Sequence, residues 1–131
     1  MSQANVEIVR AAIDAYNRGD WEAALKDAAP GFEYDLSRAV GPLHGVYALD
    51  EMRRAMDEFA EPWESLRFEA DEFIEVGEQV VTPFTNYLRG REGIEVQARA
   101  AWVWTIRDGS IARVCFYQER QEALEAAGLR E

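Results

Sequence analysis

Cysteine, histidine and long apolar runs are what this chain of 131 residues lacks, and each absence closes a class of function. One cysteine, Cys115, cannot form an intrachain disulfide. One histidine, His44, lies far from it, so no thiolate–imidazole set has metal-ligand spacing and no metal site is expected. No apolar stretch approaches the roughly 18 residues that suggest a membrane span. Residues Met1 to Glu7 carry neither the basic nor the apolar region of a secretory signal, and with a lone thiol the simplest compartment is a reducing cytoplasm. Basic residues are scarce: 14 Lys and Arg stand against 25 Asp and Glu, a formal net charge of −11. That average field repels phosphate backbones, which argues against a nucleic-acid partner. Phosphate loops and dinucleotide fingerprints are missing, so no cofactor is expected. Ser37 and Ser65 have no recognisable base partner for nucleophilic chemistry.

What remains is the pattern of a soluble α+β domain spanning residues 1–131. Val6, Val9, Ile13 and Tyr16 share one helical face. Gly19 ends that helix and Asp20 caps a second, with Trp21, Ala24, Leu25 and Ala28 as its apolar face. Pro30-Gly31 stops it, and 32–36 reads as a short strand. Residues 37–47 read as a loop broken by Gly41, Pro42 and Gly45. A third helix follows, with Leu49, Met52, Met56 and Phe59 facing the core. Antiparallel strands are predicted over 68–76, 80–89, 94–107 and 111–119. Pro83, inside the second, implies an edge position or a bulge. Asp108-Gly109 is a hairpin signal. A terminal helix over 121–127 closes at Gly128, with Leu129 packing back.

The strand over 94–107 divides by alternation into two faces. Val96, Ala98, Ala100, Trp102, Trp104 and Ile106 form a wholly apolar face. Gln97, Arg99, Ala101, Val103, Thr105 and Arg107 form the other. An apolar stripe with two indoles is not left in water, so it meets either the protein's own helices or a second subunit.

The order helix–helix–strand–helix–sheet, the Gly19-Asp20-Trp21 turn, the Pro42-Leu43-His44-Gly45 step, the 102–109 hairpin and the 122–129 tail together resemble the SnoaL-like group of the nuclear-transport-factor-2-like superfamily, over nearly the whole chain. The resemblance implies a cone-shaped α+β barrel, a curved antiparallel sheet wrapped around the N-terminal helices with an internal pocket. It implies a pocket for a small, largely apolar organic molecule. The implied chemistry is either cofactor-free acid–base catalysis of the isomerase, cyclase or dehydratase type, or none, as in non-catalytic ligand-binding or dimerisation modules. It also implies that Gln97, Arg99, Ala101, Val103 and Thr105 face the cavity, and that the Trp102/Trp104 face lies on the convex side as a homodimer interface.

The resemblance also locates what is missing. The oxyanion tyrosine of the ketosteroid isomerases falls on Ala12, their protonated acid on Ala101, and their base on Leu36, beside Asp35. The Arg and Asp two apart that serve the related epoxide hydrolases become Arg99 and Ala101. The remaining candidates for catalysis are Asp35 and His44 as proton carriers and Arg99 as the stabiliser of negative charge on an oxygen. Each has a plainer alternative: a solvated strand carboxylate, a loop histidine, an internal salt bridge. Tyr16 and Tyr34 are candidates to orient a ligand, although packing explains them equally well. Trp63, Asn86, Gln97, Val103, Tyr117 and Gln118 complete the candidate lining.

Overall fold

A computed structural model describes residues 2–39 and 44–129, so Gly41, Pro42 and Leu43 of the loop signature lie outside the described residues. In chain order the elements are α1 (Ser2–Arg18), α2 (Trp21–Ala24), β1 (Ala28–Asp35), β2 (Val46–Ala48), α3 (Leu49–Ala60), β3 (Trp63–Ala70), β4 (Ile74–Val76), β5 (Gln79–Gly90), β6 (Glu95–Arg107), β7 (Ser110–Tyr117) and α4 (Arg120–Ala126). The strands form one curved sheet in the order β2-β1-β7-β6-β5-β3, with β4 also paired to β5. This is the expected α+β architecture. No helix among the described residues is long and apolar enough to cross a membrane.

Local signals account for most of these elements. The Val6, Val9, Ile13 and Tyr16 face of α1 is buried against the sheet. Asp108 and Gly109 both take positive φ, 52° and 78°, which is the turn a two-residue hairpin between β6 and β7 requires. At the end of α4 the Gly128 N–H donates to Glu125 O and the Leu129 N–H to Leu124 O, while Leu129 packs beside Leu124. That pair of bonds is the usual glycine-terminated helix end.

Three expectations shift, each for a physical reason. The helix over 21–28 stops after one turn, because Ala28 already pairs with Ile111 of β7. Pro30 and Gly31 therefore sit in the irregular stretch between the Ala28 and Glu33 pairings of β1. The strand expected over 68–76 is two strands, β3 and β4, and Pro83 explains the break. Pro83 lies within β5, between two neighbours rather than at an edge. Its carbonyl accepts from the Asp71 N–H at 2.8 Å on the β3/β4 side. A residue's N–H and C=O point to the same neighbouring strand, so the missing proline donor falls where β3 ends and β4 has not begun. Finally, β1 and β7 run parallel. The long connection between them leaves their direction free, unlike a hairpin.

The faces of β6 are the reverse of the family-based expectation. Trp102 and Trp104 are each 1% exposed and point toward α1, where the Tyr16 ring centroid lies 6.3 and 6.4 Å from theirs. The chain thus covers the Trp102/Trp104 end of this face with its own helix, while Val96 and Ala98 at the other end are exposed. Ala101 and Val103 lie on the outer side with Val81, under Ala123 and Leu124 of α4 and Ala127 just after it. The cavity therefore does not receive Gln97, Ala101, Val103 or Thr105.

Asn17 secures α1 to the sheet edge in the manner of a strand residue. Its side chain donates to Phe68 O at 2.9 Å and accepts from Phe68 N at 2.7 Å. Asn17→Ala removes both bonds and is expected to destabilise the fold by about 1–3 kcal/mol in urea unfolding, with Asn17→Asp retaining part of that stability.

Candidate functional site

The taper of β6 opens the interior. Its inner face runs Ile106, Trp104, Trp102, then Ala100 and Ala98. The bulky end fills the core, and the small end leaves space that no side chain occupies. The result is a cavity of about 320 Å³ between the sheet and α3. That lies at the small end of the ~300–1,000 Å³ range of ligand pockets.

Its walls are mostly aromatic. Phe59 comes from α3, Phe68 from β3, Phe84 from β5, Trp102 from β6 and Phe116 from β7. Trp102 and Phe84 stack face to face, with centroids 3.8 Å apart and planes 17° apart, so each ring covers one face of the other. A pocket walled by aromatic rings favours a flat, apolar ligand. Polar atoms are few. Tyr34 and Asn86 stand on the wall, and Gln118 and Arg99 stand toward the mouth. Tyr34 is almost fully buried and accepts the Trp102 indole N–H at 2.8 Å. Burial pushes the Tyr34 hydroxyl well above its ordinary pKa, and the Trp102 bond offsets only part of this. It therefore stays protonated and acts as a neutral donor.

The three candidates for catalysis do not converge. Asp35 ends β1 between Tyr34 and Leu36, and those two face the cavity while Asp35 does not line it. Its carboxylate instead accepts from Ser37 Oγ, from Ser37 N at 2.9 Å, and from Arg113 Nη2 at 2.6 Å. Arg38 adds a guanidinium at 3.8 Å. Burial alone would raise the Asp35 pKa. The Ser37 bonds and the two arginines more than offset it, and the carboxyl is held below its ordinary value. A general base needs a value moved up toward neutrality. His44 is exposed, with Nδ1 3.2 Å from Ala39 O, so Nδ1 carries the proton. It is not on the cavity wall. Arg99 borders the mouth but is exposed, with no ion pair among the described residues.

The expected ligand contacts divide similarly. Tyr34, Asn86 and Gln118 line the cavity, with the Gln118 amide donating to Arg38 O at 2.7 Å. Tyr16 packs beneath Trp102 and Phe68 and is not on the wall. Trp63 is half-buried at the start of β3, away from it. Gln97 borders a separate open groove with Arg67 and Tyr87. Val103 lies under α4. Tyr117 is also on the outer side, below the Arg38 guanidinium at 4.8 Å from its centroid. Burial and a hydrogen bond with Cys115 push its hydroxyl up to about 12. Phe68, Phe84, Trp102 and Phe116 were legible as apolar residues but not as a wall. Phe84 and Asn86, two apart on β5, were the available signal. Among the described residues no three His, Cys, Asp or Glu side chains are grouped to hold a metal ion.

Comparisons with known proteins agree with this fold. A family model for the SnoaL-like domain matches residues 9–114. TerC, crystallised with polyporic acid, superposes with a TM-score of 0.77 at 21% identity, covering 95% of this chain and 98% of that one. An NTF2-like protein from Burkholderia thailandensis gives a TM-score of 0.77 at 25% identity over 96% and 98%. A ketosteroid isomerase-like fold from Catenulispora acidiphila, in complex with trimethylamine, gives 0.72 at 15% over 95% and 94%. No curated protein sequence matches this chain.

The Asp35 network makes a pH-dependent contribution to stability. A carboxyl whose folded pKa lies below its unfolded value, near 3.9, stabilises the fold above that pH. The contribution is lost as pH falls through the lower, folded value. The stability gap between wild type and Asp35→Asn, measured by urea unfolding, is therefore expected to be level from about pH 5 to 7 and to close below about pH 4. A gap that widens on acidification contradicts the assignment.

Proposed function

The chain belongs to the SnoaL-like domain family, and from that premise we propose that its internal cavity binds a small, flat, largely apolar organic molecule. The observation that carries this reading is the cavity itself, about 320 Å³ walled by five aromatic rings with Tyr34 and Asn86 as its polar points. Pockets of this composition bind by apolar burial and orient by a few hydrogen bonds. The TerC structure with polyporic acid supports the use of this fold to hold an organic molecule.

Binding is better supported than proton-transfer catalysis. The described wall residues include no aspartate, glutamate, histidine or lysine. Asp35 is committed to Arg113 and Ser37 on the outer side, and His44 is bound to the loop carbonyl of Ala39. The groups that do reach a ligand are neutral donors and acceptors, with the Arg99 guanidinium at the mouth for a negatively charged edge. These can polarise a carbonyl, but they do not abstract a proton.

Filling the cavity tests the reading. Ala100 faces it from β6, so Ala100→Phe is expected to weaken binding of planar aromatic probes such as 2-naphthol or anthraquinone by at least about tenfold. Asp35→Ala and His44→Ala are expected to leave that affinity within about twofold, once their folding is verified. Quenching of tryptophan emission provides the readout. Probes that bind equally well to wild type and Ala100→Phe place the site elsewhere.

A further inference from the structure

Two polar atoms on the cavity wall lack the partner that burial normally supplies. The first is the Tyr34 hydroxyl hydrogen. A phenol has one hydrogen to donate and two lone pairs to accept, whereas an indole nitrogen only donates. The 2.8 Å contact between Trp102 Nε1 and Tyr34 Oη therefore has one possible sense, with Trp102 giving and Tyr34 receiving. The Tyr34 hydrogen is left for another acceptor, and the described residues provide none. The second atom is Asn86 Oδ1, which is buried with no donor. Buried polar atoms are seldom left this way. Three other atoms, Glu75 Oε2, Thr82 Oγ1 and Trp104 Nε1, share the condition, but their residues do not line the cavity. Tyr34 and Asn86 do, from β1 and β5.

Their surroundings determine what each can take. Trp102 belongs both to the aromatic wall, where it stacks on Phe84, and to the bond that occupies Tyr34. The Tyr34 hydroxyl therefore stands beside the Trp102 indole on that wall. Donation from Trp102 also polarises the Tyr34 hydroxyl and makes it a stronger donor. Asn86 sits two residues beyond Phe84 on the same face of β5, so its amide borders the same cavity.

We propose that the cavity selects a planar conjugated ligand by a carbonyl-type oxygen set against the Tyr34 hydroxyl and an O–H or N–H donor set against Asn86, with Trp102 as the positioning residue for the Tyr34 hydrogen. The inference rests on the cavity being a binding site and adds the polarity and placement of the ligand's substituents.

Three naphthalenes separate the two levels: 2-ethylnaphthalene, 2-acetylnaphthalene, which adds the acceptor, and 6-acetyl-2-naphthol, which adds a donor. Calorimetry gives the affinities, and the infrared carbonyl stretch of the bound ketone reports its hydrogen bond. In wild type the stretch is expected to move to lower wavenumber on binding. Tyr34→Phe should abolish that shift and weaken the ketone by about tenfold, leaving the hydrocarbon within about twofold. Asn86→Leu should weaken 6-acetyl-2-naphthol by a similar factor and spare 2-acetylnaphthalene. Trp102→Phe should reduce the infrared shift of whatever ketone remains bound, because the Tyr34 hydrogen loses its positioning donor. If the probes bind wild type and Tyr34→Phe in the same ratio, the polar selection is wrong while the binding site stands. If none binds wild type, the site itself is wrong. Should Tyr34→Phe fail to fold, an unshifted carbonyl stretch in the wild-type complex overturns the proposal unaided.

Discussion

The packing of Trp102 and Trp104 against α1 is the constraint from which the rest of the structure follows. The indoles sit edge-on to each other at 5.6 Å, and the Tyr16 ring lies within 6.4 Å of both. Burying two indoles and a phenol removes several hundred Å² of surface from water, roughly 25 cal/mol for each apolar Å². No other part of β6 contributes so much, so these residues decide which side of the strand faces inward. Alternation then places Ala100 and Ala98 on the same side, nearer the mouth. The residues that make the core solid at one end thus leave it hollow at the other.

The outer side of the sheet has a different role. α4 covers Ala101, Val103 and Val81, and beyond it the surface is ionic. Asp35, Arg113, Arg38 and Glu33 form a network there, with Asp35 buried and the others exposed or partly so. Arg38 also stacks on Tyr117 and hydrogen-bonds Cys115 Sγ at 3.6 Å. This network ties the segment after β1 to β7, which fixes the strand that carries Tyr34. A carboxylate in such a setting is structural. Removing it perturbs the wall only through the backbone of β1.

Much of this fold was legible in the sequence. Helical spacing gave α1 and α3, the Asp108-Gly109 pair gave the hairpin, and Gly128 gave the end of α4. The order of elements gave the family. The site was less legible, because it depends on parity. A one-residue offset in aligning a strand exchanges its faces. Placing Arg99 and Ala101 inward rather than Ala100 and Trp102 was such an offset, and it reassigned the tryptophans to a subunit interface. Asp35 lies on the other side of the strand from Tyr34 and Leu36, which is its plainer alternative as a strand carboxylate, here paired with Arg113. What the chain could not reveal locally was α4 folding back over β6. Covering Ala101 and Val103 requires contacts between residues about 20 apart, and no periodicity within either element records them. Tyr34 and Asn86, both named among the candidate ligand contacts, do lie on the wall, from β1 and β5.

The central claim is that both tryptophans of β6 lie inside the chain, with Trp102 at the cavity and Trp104 in solid core. Indole N–H signals in a nitrogen–proton correlation spectrum test this directly. The signals of Trp102 and Trp104 should exchange with deuterated water far more slowly than those of Trp21 and Trp63, and a bound planar ligand should move Trp102 most. Rapid exchange of both β6 indoles in a folded monomer would contradict the account.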